Sequence, residues 1–437
     1  VLAIGTGEEV VDFATGVLNI DTGVKTTTNS VFQIGSNTKL YTATLLMQMV
    51  DEGKLDLDAP VSKYIPGFKL AEPGAARKIT VRHLLTHTSG IEGDHFEGFG
   101  RGDEAVERYV DSLARIGVVY PAGKLWSYCN SGFVVAGRVA EVISGLPYHQ
   151  LLRDRLCQPL AMSRTSVLAS EMLAQRCAIG HVPGEGGRLQ LPPMVLMEYA
   201  AAPAGSATVS TGEELVRFVQ MHLRAAGGSN GEVLSGESAR AMQRVEAVRP
   251  STYDDGPESM GLAWMIEEWE GRRVIGHGGG TIGQMSFLQA LPDQGLVVVL
   301  LTNSTNGGRL WRALAPWLFD ELAGVRMPEP PVAADPPPRL TLSRYTGTYE
   351  RLDVRTVVTA EADHLVAQTT LSGAFAELNN LESLPPINFY PVDAERFVGS
   401  SDGVPEVAVF LDFEKGRPTY LSADGRASRR RVRKQGR

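Results

Sequence analysis

The alternation of apolar and polar positions gives the first outline of this chain. Short apolar runs at residues 1–4 and 10–16 predict a hairpin, and a long helix-rich region follows to about residue 245. Within that region the apolar run at residues 39–50 predicts a helix, with Gly53 as its stop. Strand patterns return at residues 261–269, 274–277, 283–290 and 296–302, and residues 310–322 read as an amphipathic helix. Strands at both ends of a helical insert imply an α/β (α+β) domain. In it an antiparallel sheet is flanked by helices and a site lies at their seam. Six prolines, Pro328, Pro330, Pro331, Pro336, Pro337 and Pro338, then predict a stiff linker at 326–338. Beyond it, short alternating segments with turn signals suit a small antiparallel β-barrel over 339–437. The expected division is therefore 1–325, 326–338 and 339–437.

Composition narrows the function classes. At 437 residues the chain is long enough for two cores, and no uninterrupted apolar run approaches a membrane span. A net charge of −8 argues against nucleic acid and anionic membranes as partners. A small-molecule or peptide substrate is the expectation, with the oligomeric state open. Cys129, Cys157 and Cys177 form no even-numbered disulfide framework, so a reducing, cytoplasmic compartment is expected. The chain opens at Val1 inside an expected strand, and a trimmed N-terminus is expected. Arg426, Arg429, Arg430, Arg431, Arg433, Lys434 and Arg437 form a basic cluster, expected to be a solvated charge run.

The candidate chemistry starts at Ser36 and Lys39. Three residues apart at the start of the expected helix, they share a face, with backbone N–H groups and the positive dipole end beside the hydroxyl. A lysine amine one turn away is a means of activating a serine without histidine. Alone, the pair is better read as an ordinary helix cap and a surface charge. Two further segments change that: Trp126-Ser127-Tyr128-Cys129-Asn130 and Val274-Ile275-Gly276-His277-Gly278-Gly279-Gly280.

Serine-x-x-lysine, then tyrosine-x-asparagine, then a basic residue followed by glycines, in that order, resembles the penicillin-recognising serine enzymes. The closer similarity is to the branch of class C β-lactamase-like proteins and esterases. Residues 79–91, Pro203-Ala204-Gly205-Ser206 and Gly261-Leu262-Ala263-Trp264 match it too, so the resemblance spans roughly residues 1–325. It implies that Ser36 is the nucleophile and that Lys39 and Tyr128 form the base system, with the proton carrier left open. It also implies that Asn130 orients Lys39, and that the backbone N–H groups of Ser36 and Gly280 form the oxyanion hole. No cofactor and no metal are implied. His277 departs from the usual Lys-Thr-Gly. A histidine is a weaker, pH-dependent cation and can also donate a neutral hydrogen bond, which shifts the expectation from β-lactams toward esters, amides and thioesters. Some members of the branch, D-aminopeptidase-type enzymes and penicillin-binding-protein-type thioesterases, carry a lipocalin-like C-terminal domain, and the latter release and cyclise nonribosomal peptides.

Other motifs carry weaker expectations. Gly227-Gly228-Ser229-Asn230-Gly231 fits a nucleophile elbow but follows a helix-like run, so Ser229 is expected in a loop. Gly278 to Gly283 fits a dinucleotide pattern but leads into a strand. His83 and His87 have zinc-compatible spacing, yet core or helix-end roles are the expectation. Cys129 is expected to be a packing residue. Three functions remain. The first is hydrolysis of an ester or D-amino-acid-type peptide bond through acyl-Ser36. The second is release and macrocyclisation of a peptide, and the third is a non-catalytic binding or sensor module.

Overall fold

In the computed structural model, residues 1–431 are described apart from 230, 232, 253–257, 380 and 402. One sheet has eight strands: β1 (Leu2–Thr6), β2 (Glu9–Phe13), β3 (Ala247–Val248), β4 (Ser259–Met260), β5 (Met265–Trp269), β6 (Arg272–Thr281), β7 (Gln284–Leu291) and β8 (Leu296–Thr302). Their order is β2-β1-β8-β7-β6-β5-β4-β3, and every pairing is antiparallel. The N-terminal hairpin thus meets the sheet at β8, with Leu2 opposite Leu300. β8 is apolar on both faces because helices cover both. Val297, Val299 and Leu301 join the main core, while Val298 and Leu300 pack with Trp311 and Phe319 of helix α4 (Gly307–Ala323).

Helix α1 (Thr38–Asp51) runs through the centre of this part, with residues 38–49 all buried. That explains why its sequence is apolar all round instead of striped. Most of its polar groups find partners within the core, Tyr41 OH and Gln48 Oε1 being exceptions among the described residues. Thr42 donates to Pro203 O at 2.7 Å, and Gln48 donates to Val233 O at 2.8 Å. Helix α2 (Asn130–Ser144) packs beside it, and α3 (Gly212–Ala226) covers β1 and β8.

Residues 325–341 carry no regular secondary structure. Eight strands then close into an antiparallel barrel: β9 (Gly347–Arg351), β10 (Val354–Ala360), β11 (Leu365–Leu371), β12 (Ile387–Pro391), β13 (Arg396–Ser401), β14 (Val404–Glu414), β15 (Arg417–Ala423) and β16 (Arg426–Arg430). Closure leaves no free sheet edge. Inward positions alternate along each strand, as at Val354, Thr356 and Val358 of β10, and a cluster of Tyr345, Tyr349, Phe397 and Phe410 forms the barrel core.

The barrel packs on the rest of the chain. Val119 and Tyr120 meet Tyr420 and Ala427 in a shared apolar cluster, Tyr128 N donates to Gly425 O at 2.9 Å, and Ala427 N donates to Ser127 Oγ at 3.0 Å. The basic cluster therefore needs correcting. Arg426 is not a solvated tail charge but a strand residue paired with buried Asp94, Arg430 donates to Thr346 O, and Arg431 pairs with Glu350 at 3.2 Å. Arg433, Lys434 and Arg437 lie outside the described residues.

Candidate active site

A 3₁₀ turn, Gly35–Asn37, precedes α1, so Ser36 lies in that turn and not in the helix itself. The turn holds Ser36 against β6. Gly35 has φ +51°, and a Cβ there would stand 2.6 Å from Gly280 N. Gly279 and Gly205 pack equally tightly on the backbone of Ile34 and Gly35. Glycine at these places is what lets the nucleophile turn and the strand approach. Gly35→Ala is expected to cost on the order of 1–3 kcal/mol in stability and to lower turnover by moving Gly280 away from Ser36. Thermal melting and steady-state kinetics on the variant check both.

Lys39 is fully buried, with its amine 2.9 Å from Ser36 Oγ, 2.8 Å from Asn130 Oδ1 and 2.6 Å from Ala204 O. Burial, and then the charge of Arg426, push its pKa well below the ordinary lysine value, with Asp94 and Cys129 opposing. A neutral amine has two N–H groups and one lone pair. The two carbonyl oxygens take the N–H groups, which leaves the lone pair facing the Ser36 hydroxyl. Tyr128 is within hydrogen-bonding reach of Ser36, and its ring centroid lies 4.8 Å from the Lys39 amine. Burial pushes the Tyr128 phenol up, so it stays protonated.

Asn130 opens α2. Its Oδ1 accepts from Lys39 while its Nδ2 donates to Asp94 Oδ1 at 2.8 Å, which fixes the orientation of the amide. Asp94 is buried and also accepts from Arg426 Nε at 2.5 Å and Arg351 Nη1 at 3.2 Å, both from the barrel. Burial works against its charge, but Arg426 and Arg351 keep its pKa below the usual carboxylate value. The Arg426 guanidinium lies 5.1 Å from the centroid of the Tyr128 ring. Residues more than 300 positions apart in the chain thus set the electrostatics of Lys39. No local spacing marks Asp94, and Arg426 was hidden in an apparent charge run.

This network fixes the sign of a pH effect. Neutral Lys39 is the form able to take a proton, so activity should fall as pH drops through its pKa. Asp94 raises that pKa and Arg426 lowers it. D94N is expected to move the acidic limb of kcat to lower pH, and R426Q to move it to higher pH. Shifts of the same sign in pH–rate profiles of the two variants would disprove this electrostatic origin.

His277 requires correction as a cation. It is 3% exposed, and burial, then the charge of Lys39, lower its pKa to about 3. Its Nδ1 donates to Gly278 O at 2.5 Å, and Nε2 is left as an acceptor without a partner among the described residues. Of the arginines on the cleft wall, Arg249 is paired with Glu258 at 3.0 Å and Arg426 with Asp94.

These residues line a cleft of about 710 Å³. Ser36, Tyr128, Asn130, His277 and Gly280 form one side, and Phe375, Glu406, Asp424 and Arg426 of the barrel part roof the other. Pro330 reaches it from the proline-rich segment. The remaining motifs lie elsewhere or serve structure. Ser229 follows the end of α3 and donates its N–H to Arg224 O at 3.1 Å. Gly278, Gly279 and Gly280 are strand residues. His83 accepts from Thr80 N at 3.2 Å in a capping box. His87 accepts from Cys129 N at 3.0 Å beneath the Tyr128 ring. Cys129 caps α2, its Sγ accepting from Gly132 N at 3.2 Å.

A sheet of this topology with helices on both faces, and a serine–lysine pair held against an edge of the cleft, is the architecture of serine hydrolases of the β-lactamase and penicillin-binding-protein type. Residues 1–323 match the family described as Beta-lactamase, and the chain belongs to it. It is similar to Penicillin-binding protein 4 of Amycolatopsis lactamdurans, with 40% identity over 356 residues that span 80% of this chain and 92% of that relative. The crystal structure of SurE superposes with a TM-score of 0.79 at 26% identity, covering 98% of this chain and 94% of SurE. SurE solved with D-Leu gives a TM-score of 0.76 at 25% identity, with the same coverage of both chains.

Proposed function

We propose that this chain is a serine acyl-transfer enzyme that forms an acyl-Ser36 intermediate and hydrolyses an ester or D-amino-acid-type peptide bond. The observation that carries this reading is the Lys39 amine, buried, desolvated and aimed at Ser36 Oγ by two carbonyl acceptors. As Ser36 Oγ attacks the substrate carbonyl, its proton passes to the Lys39 lone pair. The carbonyl oxygen takes up negative charge against the N–H groups of Ser36 and Gly280. The neutral Tyr128 phenol relays a proton to the leaving group, which departs as the acyl-enzyme forms. Water then attacks the ester, giving its proton back through the same relay and freeing the acid.

The cleft favours substrates without a carboxylate beside the scissile bond. His277 is neutral and supplies no cation there, while Arg249 and Arg426 are ion-paired with Glu258 and Asp94. The likeness to SurE with D-Leu supports a D-amino-acid residue at the acyl position. A second reading is favoured by the barrel roof. Barrel residues on the cleft wall take the place of water there, so an amine of the substrate competes for the acyl group and closes a ring. A pure binding module has no use for a desolvated base beside a hydroxyl. Incubating the protein with linear peptide thioesters ending in D-Leu, followed by mass spectrometry, decides among the three. Linear acid supports hydrolysis, cyclic peptide supports the transferase, and neither product nor adduct leaves the binding module.

A further inference from the structure

The interior of the barrel is not filled. A cavity of about 420 Å³ runs between its strands, within the roughly 300–1,000 Å³ range of small-molecule sites. Eight strands make a barrel just wide enough to be packed solid or to hold one small ligand, and the side chains decide which. Here Tyr345, Tyr349 and Phe397 of the barrel core stay off the cavity wall, and Phe389 and Phe410 of the same cluster face it. Ala367, Ala408, Val354 and Val358 contribute small side chains to that wall. Leu365, Leu371 and Leu421 add aliphatic surface, and Phe389 and Phe410, with the hydroxyls of Thr356, Thr369 and Ser428, complete the lining.

This cavity adjoins the catalytic cleft. Phe375, Glu406, Val407, Asp424 and Arg426 line both spaces. Phe375, on the short helix Gly373–Asn379, stacks on Phe96 of the cleft wall with ring centroids 6.0 Å apart. The charged groups at this junction do not call for a charged occupant. Arg351 and Arg426 share Asp94, Arg426 also pairs with Asp424 at 3.1 Å, and burial followed by the charge of Asp424 lifts the Glu406 carboxyl to about 7.

We propose that the barrel interior is the subsite for an aliphatic chain carried by the acyl substrate, reached through the mouth beside Arg426 while the carbonyl sits at Ser36. The substrate class is then a long-chain acyl compound or a peptide bearing such a chain, with the barrel acting as a measure of chain length. This rests on the acyl-Ser36 reading and adds to it a place for the rest of the molecule. Burial of methylenes supplies the discrimination, since each one removed from water strengthens binding about fourfold.

The test compares p-nitrophenyl butanoate with p-nitrophenyl dodecanoate on the full chain. Parent protein should prefer the twelve-carbon ester in kcat/KM by about 30-fold or more, the effect of two to three buried methylenes. Ala367→Phe fills the cavity and should collapse the preference at least tenfold while the butanoate rate stays within twofold. Ala408→Leu, a smaller filling change, keeps the test open if the first variant fails to fold. A chain preference that persists in either folded variant, or no preference in the parent, overturns the barrel subsite while leaving acyl-Ser36 standing. No turnover of either ester and no adduct at Ser36 overturns both. Displacement of 1-anilinonaphthalene-8-sulfonate from Ser36→Ala protein by dodecanoic acid, lost in the filled variants, supports the site without any turnover.

Discussion

Ser36→Ala is expected to reduce turnover of every ester and peptide substrate by four to six orders of magnitude, on the scale of on the order of 10⁴–10⁶ seen for loss of a covalent nucleophile. The fold should survive unchanged. Ser36 Oγ is one of three partners of the Lys39 amine, and the bonds from Lys39 to Asn130 and Ala204 remain when it is removed. The surrounding turn is held by Gly35, Gly205 and Gly279 and not by the serine side chain. A melting temperature within a few degrees of the parent, with unchanged substrate binding, would separate lost chemistry from lost structure. A large fall in stability would mean that Ser36 serves packing, contrary to the geometry.

Lys39→Ala should lower the acylation rate by roughly 10²–10⁴, the usual worth of a positioned general base. Lys39→Arg should be no better. A guanidinium keeps its charge at every accessible pH and offers no lone pair, so it tests proton abstraction apart from positive charge. Tyr128→Phe removes the relay and should fall in the same range. The double variant Lys39→Ala/Tyr128→Phe should be little worse than the weaker single one, because groups that move one proton act as a unit. Pre-steady-state acylation measured on all four proteins gives the comparison. Losses that multiply, or an active Lys39→Arg enzyme, would mean that Lys39 and Tyr128 act separately or through charge alone. Lys39→Ala also leaves Asn130 Oδ1 and Ala204 O without their donor, so some loss of stability, about 1–3 kcal/mol, accompanies the kinetic effect.

What the sequence revealed of this site follows from where its information is local. Ser36 and Lys39 are one helical turn apart and Tyr128 and Asn130 two residues apart, so short spacings carry them. The structure brings all four together with His277 and Gly280 around one cleft. The strand at residues 296–302 was legible to the residue, since an unbroken apolar run bounded by Gly295 and Asn303 has one economical reading. Sheet order was not, because no pattern within β1 says that its partner is β8. The cationic alternative for His277 failed for a related reason, while the neutral, hydrogen-bonding one stands. Its charge depends on burial beneath a cleft built from distant segments, which no residue type reports. Asp94 and Arg426 were lost in the same way. A lone aspartate in a loop and one arginine among many become a buried pair only once the barrel docks. Long-range ion pairs of this kind are written in topology, not in motifs.

The central claim is a covalent bond between substrate and Ser36. Its most direct measurement is intact-mass spectrometry of the protein after brief exposure to a slowly hydrolysed D-amino acyl ester, followed by peptide mapping of the adduct. One acyl group per chain, on the peptide containing Ser36 and absent from Ser36→Ala, is the predicted result. An adduct on Ser229 or any other residue, or turnover without an adduct even when quenched in the pre-steady state, would contradict it.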